Sequence, residues 1–321
     1  MAGGQERILK RRIRSIESTK KITRAMELIA ASRIVRAQQR VAAARPYSEE
    51  ITEVIRNLAE GGAGLDHPLL VPRDEIRKVG FVVITADRGL AGAYNSSVIR
   101  AAERALRREQ AAGHDYALVL VGRKAQSYFR YRNYRIDAAF TGMSDQPTYE
   151  DARRVAEAVV GPFESGDVDR VELVYTQFLS AASQQVRVRR FMPLDAEAIV
   201  EAGGSQPEKP EGPQAAYEFE PAPDAILERL LPRYVEARLF AAMLDAAASE
   251  HAARQRAMKA ATDNAEDLIK SLTRVMNRAR QDTITTEIME IVGGAEALAS
   301  GKKPETDHHS LEILEAHGVA P

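Results

Sequence analysis

From Arg7 to Arg45 the apolar positions recur at intervals of three and four: Leu9, Ile13 and Ile16, then Ile22, Met26 and Ile29, then Ile34, Ala37, Val41 and Ala44. That spacing is the stripe of one face of an amphipathic helix, and the opposite face carries Lys and Arg. Pro46 removes one helix hydrogen bond and predicts a kink. The stripe then resumes at Ile51, Ile55 and Leu58 and stops at Gly61, Gly62 and Gly64, glycine being the usual residue past a helix end. A second helical pattern runs from Asp224 to about Ala299 through Leu227, Leu230, Leu231, Tyr234, Phe240, Leu244, Ala247, Met258, Ala261, Ala265, Leu268, Leu272, Val275 and Met276. Asp224 suits its N-cap, with Pro221 and Pro223 just outside. A helix this long would span about 110 Å, more than one globular domain buries. Its many alanines let two helix axes approach closely but bury little area per turn, so such a pair needs support from surrounding protein.

Between these stripes the period changes. Val79 to Ile84, Tyr116 to Val121 and Val171 to Phe178 have strand length and β-branched content. Amphipathic helical stretches, Asn95 to Ala112, Arg123 to Tyr131 and Tyr149 to Phe163, separate them. Strand alternating with helix predicts a small parallel sheet with helices on both faces, and Gln185 to Phe191 reads as an edge strand with Val186 and Val188 on one face. The expected division is an N-terminal helix over 1–60, an α/β domain over 75–195, a Gly-, Pro- and Glu-rich linker over 196–223, a second helix over 224–299 and a mobile tail over 300–321.

Composition narrows the function. There is no run of 18 apolar residues and no secretory h-region, so no direct membrane insertion is expected. Zero cysteines remove disulfides, thiolate metal sites and cysteine nucleophiles. A net charge of −1 hides an asymmetry, because residues 7–45 carry twelve Lys or Arg against Glu17 and Glu27; the expected partner is acidic. A DNA-binding arm is the competing reading of that stripe. Against it, the apolar stripe lies within the basic segment rather than following it, and a pI of about 6.6 gives no general attraction to nucleic acid.

The loop Asp87-Arg88-Gly89-Leu90-Ala91-Gly92-Ala93-Tyr94-Asn95 follows the first strand, where many α/β folds hold phosphates on helix amides. It has neither the three-glycine dinucleotide spacing nor a terminal Gly-Lys-Ser/Thr. A nucleotide-binding α/β enzyme using this loop is the alternative to a structural turn. The histidines have no helical spacing for a shared metal, and no Gly-x-Ser-x-Gly elbow occurs. No cofactor, metal or catalytic residue is expected. In the second helix Thr283, Ile284, Thr285 and Thr286 form a β-branched run of low helix propensity, which external contacts would compensate.

Three stretches together resemble one family: Ile22-Thr23-Arg24-Ala25-Met26-Glu27 with Ala30-Ala31-Ser32, Thr85 to Asn95, and Met258-Lys259-Ala260-Ala261-Thr262-Asp263-Asn264-Ala265 leading to Ile284 through Ala295. The chain is similar over about residues 1 to 298 to the gamma subunit of the proton-translocating F-type ATP synthase. The resemblance implies an antiparallel, left-handed coiled coil of the terminal helices with a central Rossmann-like α/β domain. It implies a rotor that does no chemistry itself and turns inside a ring of three alpha and three beta subunits, with an epsilon subunit and a membrane c-ring as further partners. By similarity, Met26 with Lys20, Lys21 and Arg24 faces acidic segments of the beta subunits, and Arg280, Gln281, Thr285 and Glu290 contact the ring and transmit torque. Family members usually finish just after the Gly-Gly-Ala-x-Ala-Leu stretch, whereas about twenty polar residues follow Leu298 here. Chloroplast members carry a cysteine-bearing insertion that this chain lacks, and the absence of a transit-like leader makes a bacterial origin, on the cytoplasmic face of the cell membrane, the simpler expectation.

Overall fold

The computed structural model describes residues 2–60, 67–194 and 222–301. Its elements in chain order are α1 (Ala2–Glu60), β1 (Lys78–Ile84), α2 (Tyr94–Ala111), β2 (Asp115–Val121), α3 (Arg123–Tyr131), β3 (Ala138–Phe140), α4 (Tyr149–Glu164), β4 (Arg170–Phe178), β5 (Gln184–Met192) and α5 (Pro223–Ser300). The chain divides into two compact units, one of Lys21–Thr262 and one of Met1–Lys20 with Asp263–Pro321, so the division cuts through both long helices. Most of the expected linker and nearly all of the expected tail lie outside the described residues.

In the Lys21–Thr262 unit five strands form one sheet in the order β3-β2-β1-β4-β5. All neighbours run parallel except β5, which pairs antiparallel with β4 at the edge. Val79, Phe81 and Val83 point into a core with α2 and α3, while Val82 and Ile84 point into one with α4, α1 and α5. Burial on both faces is why β1 and β2 are continuous apolar runs rather than alternating ones. Ile51, Ile55 and Leu58 of α1 and Leu227, Leu231, Tyr234 and Leu239 of α5 belong to the second core, so the inner ends of both long helices form one covering layer of the sheet. β3 has only three residues and no apolar run to announce it.

α5 begins at Pro223, so Asp224 lies in its first turn and not at the cap as the sequence predicts. Proline suits that first position because its missing donor has no helical acceptor there. α1 is continuous through Pro46. Between Ala242 and Ala252 every α5 residue except the partly exposed Asp245 is buried, because this stretch has α1 on one side and the sheet on the other.

The seam of the paired helices differs from the expected stripe. In the Lys21–Thr262 unit the inward positions of α1 are Thr23, Glu27, Ala30, Ile34 and Ala37. Ile22 and Ile29 are 58% and 54% exposed. In the other unit Leu9, Ile13, Ile16 and Lys20 of α1 are buried or half-buried, as are Ala265, Ile269, Leu272, Met276 and Ala279 of α5, whereas Leu268 and Val275 are exposed. Steps of four and three alternate strictly, the seven-residue repeat of a left-handed coiled coil. A reading by apolar residues drifts off it because Thr23, Glu27 and Thr262 occupy seam positions.

The helices run antiparallel. Within the Lys21–Thr262 unit Ser48, Ile51 and Thr52 lie beside Tyr234, Arg238 and Ala242, Ala37 lies beside Leu244 and Ala247, and Thr23 meets Thr262.

Candidate partner-binding surface

The loop after β1 decides between the enzyme and shaft readings. Asp87 lies in the loop just past β1, and its carboxylate accepts from the backbone amides of Arg123 (3.0 Å), Gly142 (2.9 Å) and Ser144 (3.2 Å), while its own amide donates to the Ser144 hydroxyl at 2.9 Å. Partial burial pushes the Asp87 carboxyl up, but the amides of Gly142, Ser144 and Arg123 outweigh it and hold the group below the usual carboxylate range. Arg123 is the first residue of α3. A side chain of the protein therefore occupies the anion position that this helix N-terminus offers.

The rest of the loop is equally committed. The Asn95 side chain accepts from the Ala86 amide at 2.9 Å, and Arg254 donates to the Gly89 carbonyl at 3.2 Å. Gly122 has φ +97, and a Cβ there would meet the Thr85 carbonyl oxygen at 2.1 Å, so glycine is required where β2 turns into α3. The turn reading fits these contacts.

Arg254 also anchors a buried polar group in the same unit. It pairs with Glu250 at 2.6 Å, both side chains almost wholly buried, and its other nitrogen reaches Nδ1 of His251 at 3.5 Å. Nε2 of His251 lies 3.5 Å from Asp145, which takes both of its oxygens to Arg33 of α1 at 2.6 and 2.7 Å. α1, α5 and the loop before α4 are joined by charge as well as by apolar packing. No simple apolar pattern announces this cluster; the signal is Glu250 and Arg254 at i and i+4 inside an otherwise alanine-rich run.

The expected partner-binding residues fall in two places. In the Lys21–Thr262 unit Lys21 and Arg24 are exposed and Met26 is half-buried at the rim of the seam. Arg24 is held by both oxygens of Glu27 at 2.9 and 3.0 Å, which places its charge beside a seam carboxylate. Exposed Ile22, Leu28 and Ile29 surround these cations. In the other unit Lys20 pairs with Glu266 at 3.0 Å, and Glu266 is also 3.2 Å from Lys270. Arg280, Gln281, Thr285 and Glu290 are all exposed.

The β-branched run of α5 stabilises itself in part. Thr283, Thr285 and Thr286 donate to the carbonyls of Ala279, Gln281 and Asp282, four residues back, at 2.8 to 2.9 Å. Beyond them Ile288, Met289, Ile291, Val292 and Leu298 are 54–79% exposed. Such a density of bare apolar side chains marks an interaction surface. Their signal in the sequence is apolar residues at nearly every angle of the helix between Ile284 and Val292, which a search for a single stripe passes over.

The family model described as ATP synthase matches residues 5–298. A curated ATP synthase gamma chain of Frankia casuarinae is 53% identical over 303 residues, covering 93% of this chain and 99% of the relative. That of Mycolicibacterium vanbaalenii is 50% identical over 310 residues, covering 92% and 98%. Among solved structures, the Euglena gracilis mitochondrial ATP synthase OSCP/F1/c-ring in rotational state 3 contains a chain with a TM-score of 0.64 at 19% identity, covering 95% of this chain and 98% of that one. The family match spans both long helices and the loop after β1, and relatives half identical to it cover nearly its whole length, so the chain belongs to the ATP synthase gamma chain family.

Proposed function

We propose that the chain is the non-catalytic rotor subunit of an ATP synthase, coupling transmembrane proton flow to ATP synthesis, or the reverse, by rotation of its asymmetric coiled coil inside an alpha–beta ring. The observation that carries this reading is the pair of helices whose outward faces bear Lys21, Arg24, Arg280, Gln281, Thr285 and Glu290 beside exposed isoleucines. A shaft with a different side chain at each angle presents a different surface to each of three equivalent subunits. Turning it therefore changes which conformation each one favours. The cations beside the seam attract acidic segments of a beta subunit, and the chemistry stays in the ring.

The α/β layer is assigned to the epsilon subunit and the c-ring, peripheral to the membrane on its cytoplasmic face; no helix among the described residues is long and apolar enough to cross it. Through these contacts the subunit also regulates ATPase activity and proton flow. Complete complexes reconstituted in vesicles with and without this chain test the reading. Coupled synthesis that depends on the chain supports it; ATP turnover by the chain alone would return the assignment to an enzyme built on Asp87 to Asn95.

A further inference from the structure

In the Lys21–Thr262 unit a cleft of about 260 Å³ opens between α1, the β4–β5 edge and α5. Three arginines line it from three elements: Arg45 of α1, Arg189 of β5 and Arg238 of α5. Arg238 is the unusual one. Its guanidinium carbon lies 5.7 Å from the Phe191 ring centroid and 5.6 Å from that of Tyr234. Burial pushes it below the usual arginine range, and its charged neighbour is the like-signed Arg189. Among the described residues no carboxylate pairs with it. Arg238 is half-buried in the cleft, and the two rings pack against its guanidinium without using its donors, which leaves them for an anion.

The acids in the cleft do not fill that role. Glu49 is taken by Arg45 at 2.6 Å. Asp245 has its carboxyl pushed up to about 7, mainly by burial, against the Phe178 amide and Arg189. Near neutrality it is half protonated, so three cations face less than two negative charges. Tyr175 and Gln177 add polar groups to the wall.

We propose that this cleft binds the phosphate group of a small molecule, with Arg238 and Arg189 as its principal ligands and Arg45 at the rim. A planar guanidinium fork takes an oxyanion through two parallel N–H···O bonds. The group enters either as inorganic phosphate or as the end of a nucleotide, with Tyr175 and Tyr234 beside the remainder. Neither source uses the loop after β1. This site goes beyond the rotor reading and does not depend on it.

The test is calorimetric titration of the full chain in a phosphate-free buffer at low ionic strength, with inorganic phosphate, ADP and adenosine in separate arms. Saturable binding of phosphate or ADP but not adenosine is expected. ADP binding more tightly than phosphate assigns the nucleotide, and equal affinity assigns the free ion. Arg238→Lys keeps the charge but loses the fork and is expected to weaken binding about tenfold or more. Arg189→Ala, on the exposed edge strand, is expected to weaken it severalfold and serves should Arg238→Lys fail to fold. Asp245→Asn, which faces Arg189 from β5, Arg45 and Glu49 from α1, Tyr175 from β4, and Tyr234 and Arg238 on its own helix, is expected to tighten binding at about pH 8 and change little at about pH 6. Absence of saturable binding by phosphate and ADP, or affinity unchanged in the folded arginine variants, overturns the proposal.

Discussion

The hydroxyls of Thr23 and Thr262 meet at 2.8 Å, both buried, where α1 and α5 face each other in the seam. Thr262 also reaches the Met258 carbonyl at 2.9 Å. Two polar side chains thus occupy seam positions that leucine or alanine could fill. Thr23→Val removes the donor across the seam but leaves the Thr262 hydroxyl bonded to Met258, and is expected to cost about 1 kcal/mol, whereas the double variant with Thr262→Val is expected to recover part of that loss, because matched apolar replacements remove both polar groups. Urea unfolding of the single and double variants gives the coupling directly; additive losses would show that the pair contributes nothing as a pair.

Asp245 makes stability depend on pH. Its folded pKa of about 7 lies above the unfolded value of 3.8, so between these the folded state binds the extra proton and stability falls as pH rises. The full displacement corresponds to at most about 4 kcal/mol. Asp245→Asn is expected to raise the melting temperature at pH 8, to leave it nearly unchanged near pH 4, and to flatten the decline in between. A melting temperature that rises equally at both pH values would assign the effect to something other than ionisation.

Glu250 and Arg254 form an ion pair inside the helix-and-sheet layer, with Glu250 almost wholly buried. Arg254→Met leaves that carboxylate without its partner and is expected to cost about 3–5 kcal/mol. Adding Glu250→Gln should return much of it. Chemical denaturation midpoints of the two variants and the wild type measure the difference.

Gly122→Ala places a methyl group 2.1 Å from a backbone carbonyl, at a φ that side chains rarely adopt. Backbone must move for it to fit, and several kcal/mol of stability are expected to go. Gly142→Ala has an equally positive φ but nothing within 4 Å and should cost only about 1–2 kcal/mol. Circular dichroism melts of the pair separate steric clash from backbone strain.

Met26→Lys tests the rotor reading. Met26 is half-buried at the rim of the seam, so the added charge can reach water and folding should change little. Coupled ATP synthesis in reconstituted complexes is expected to fall severalfold relative to ATP hydrolysis. Equal losses of stability and coupling would make Met26 an ordinary seam residue.

The sheet was readable because strands buried on both faces must be unbroken apolar runs, and Val79–Ile84 and Tyr116–Val121 are. The edge strand was readable from its alternation at Val186 and Val188. The seam was only half readable. Ile22 and Ile29 look like seam residues, but the true positions hold Thr23 and Glu27, each supplied with a polar partner, Thr262 and Arg24. Such substitutions are invisible until the opposing helix is in place. β3 gave no signal because three residues of a pleat carry no period. Among the expected partner-binding residues, Arg280, Gln281, Thr285 and Glu290 are exposed, as a polar stretch of helix predicts. The neighbouring bare isoleucines carry no stripe signal, because a circumference of apolar residues has no single face.

From Ala242 to Ala252, α5 has walls almost all round it. A rod gripped this way behaves like a keyed axle in a hub: it cannot spin or creep along its length without unpacking the buried side chains that hold it. Twist applied to the sheet is then handed to this stretch of α5, and its amides should be the last in the unit to exchange with solvent deuterium.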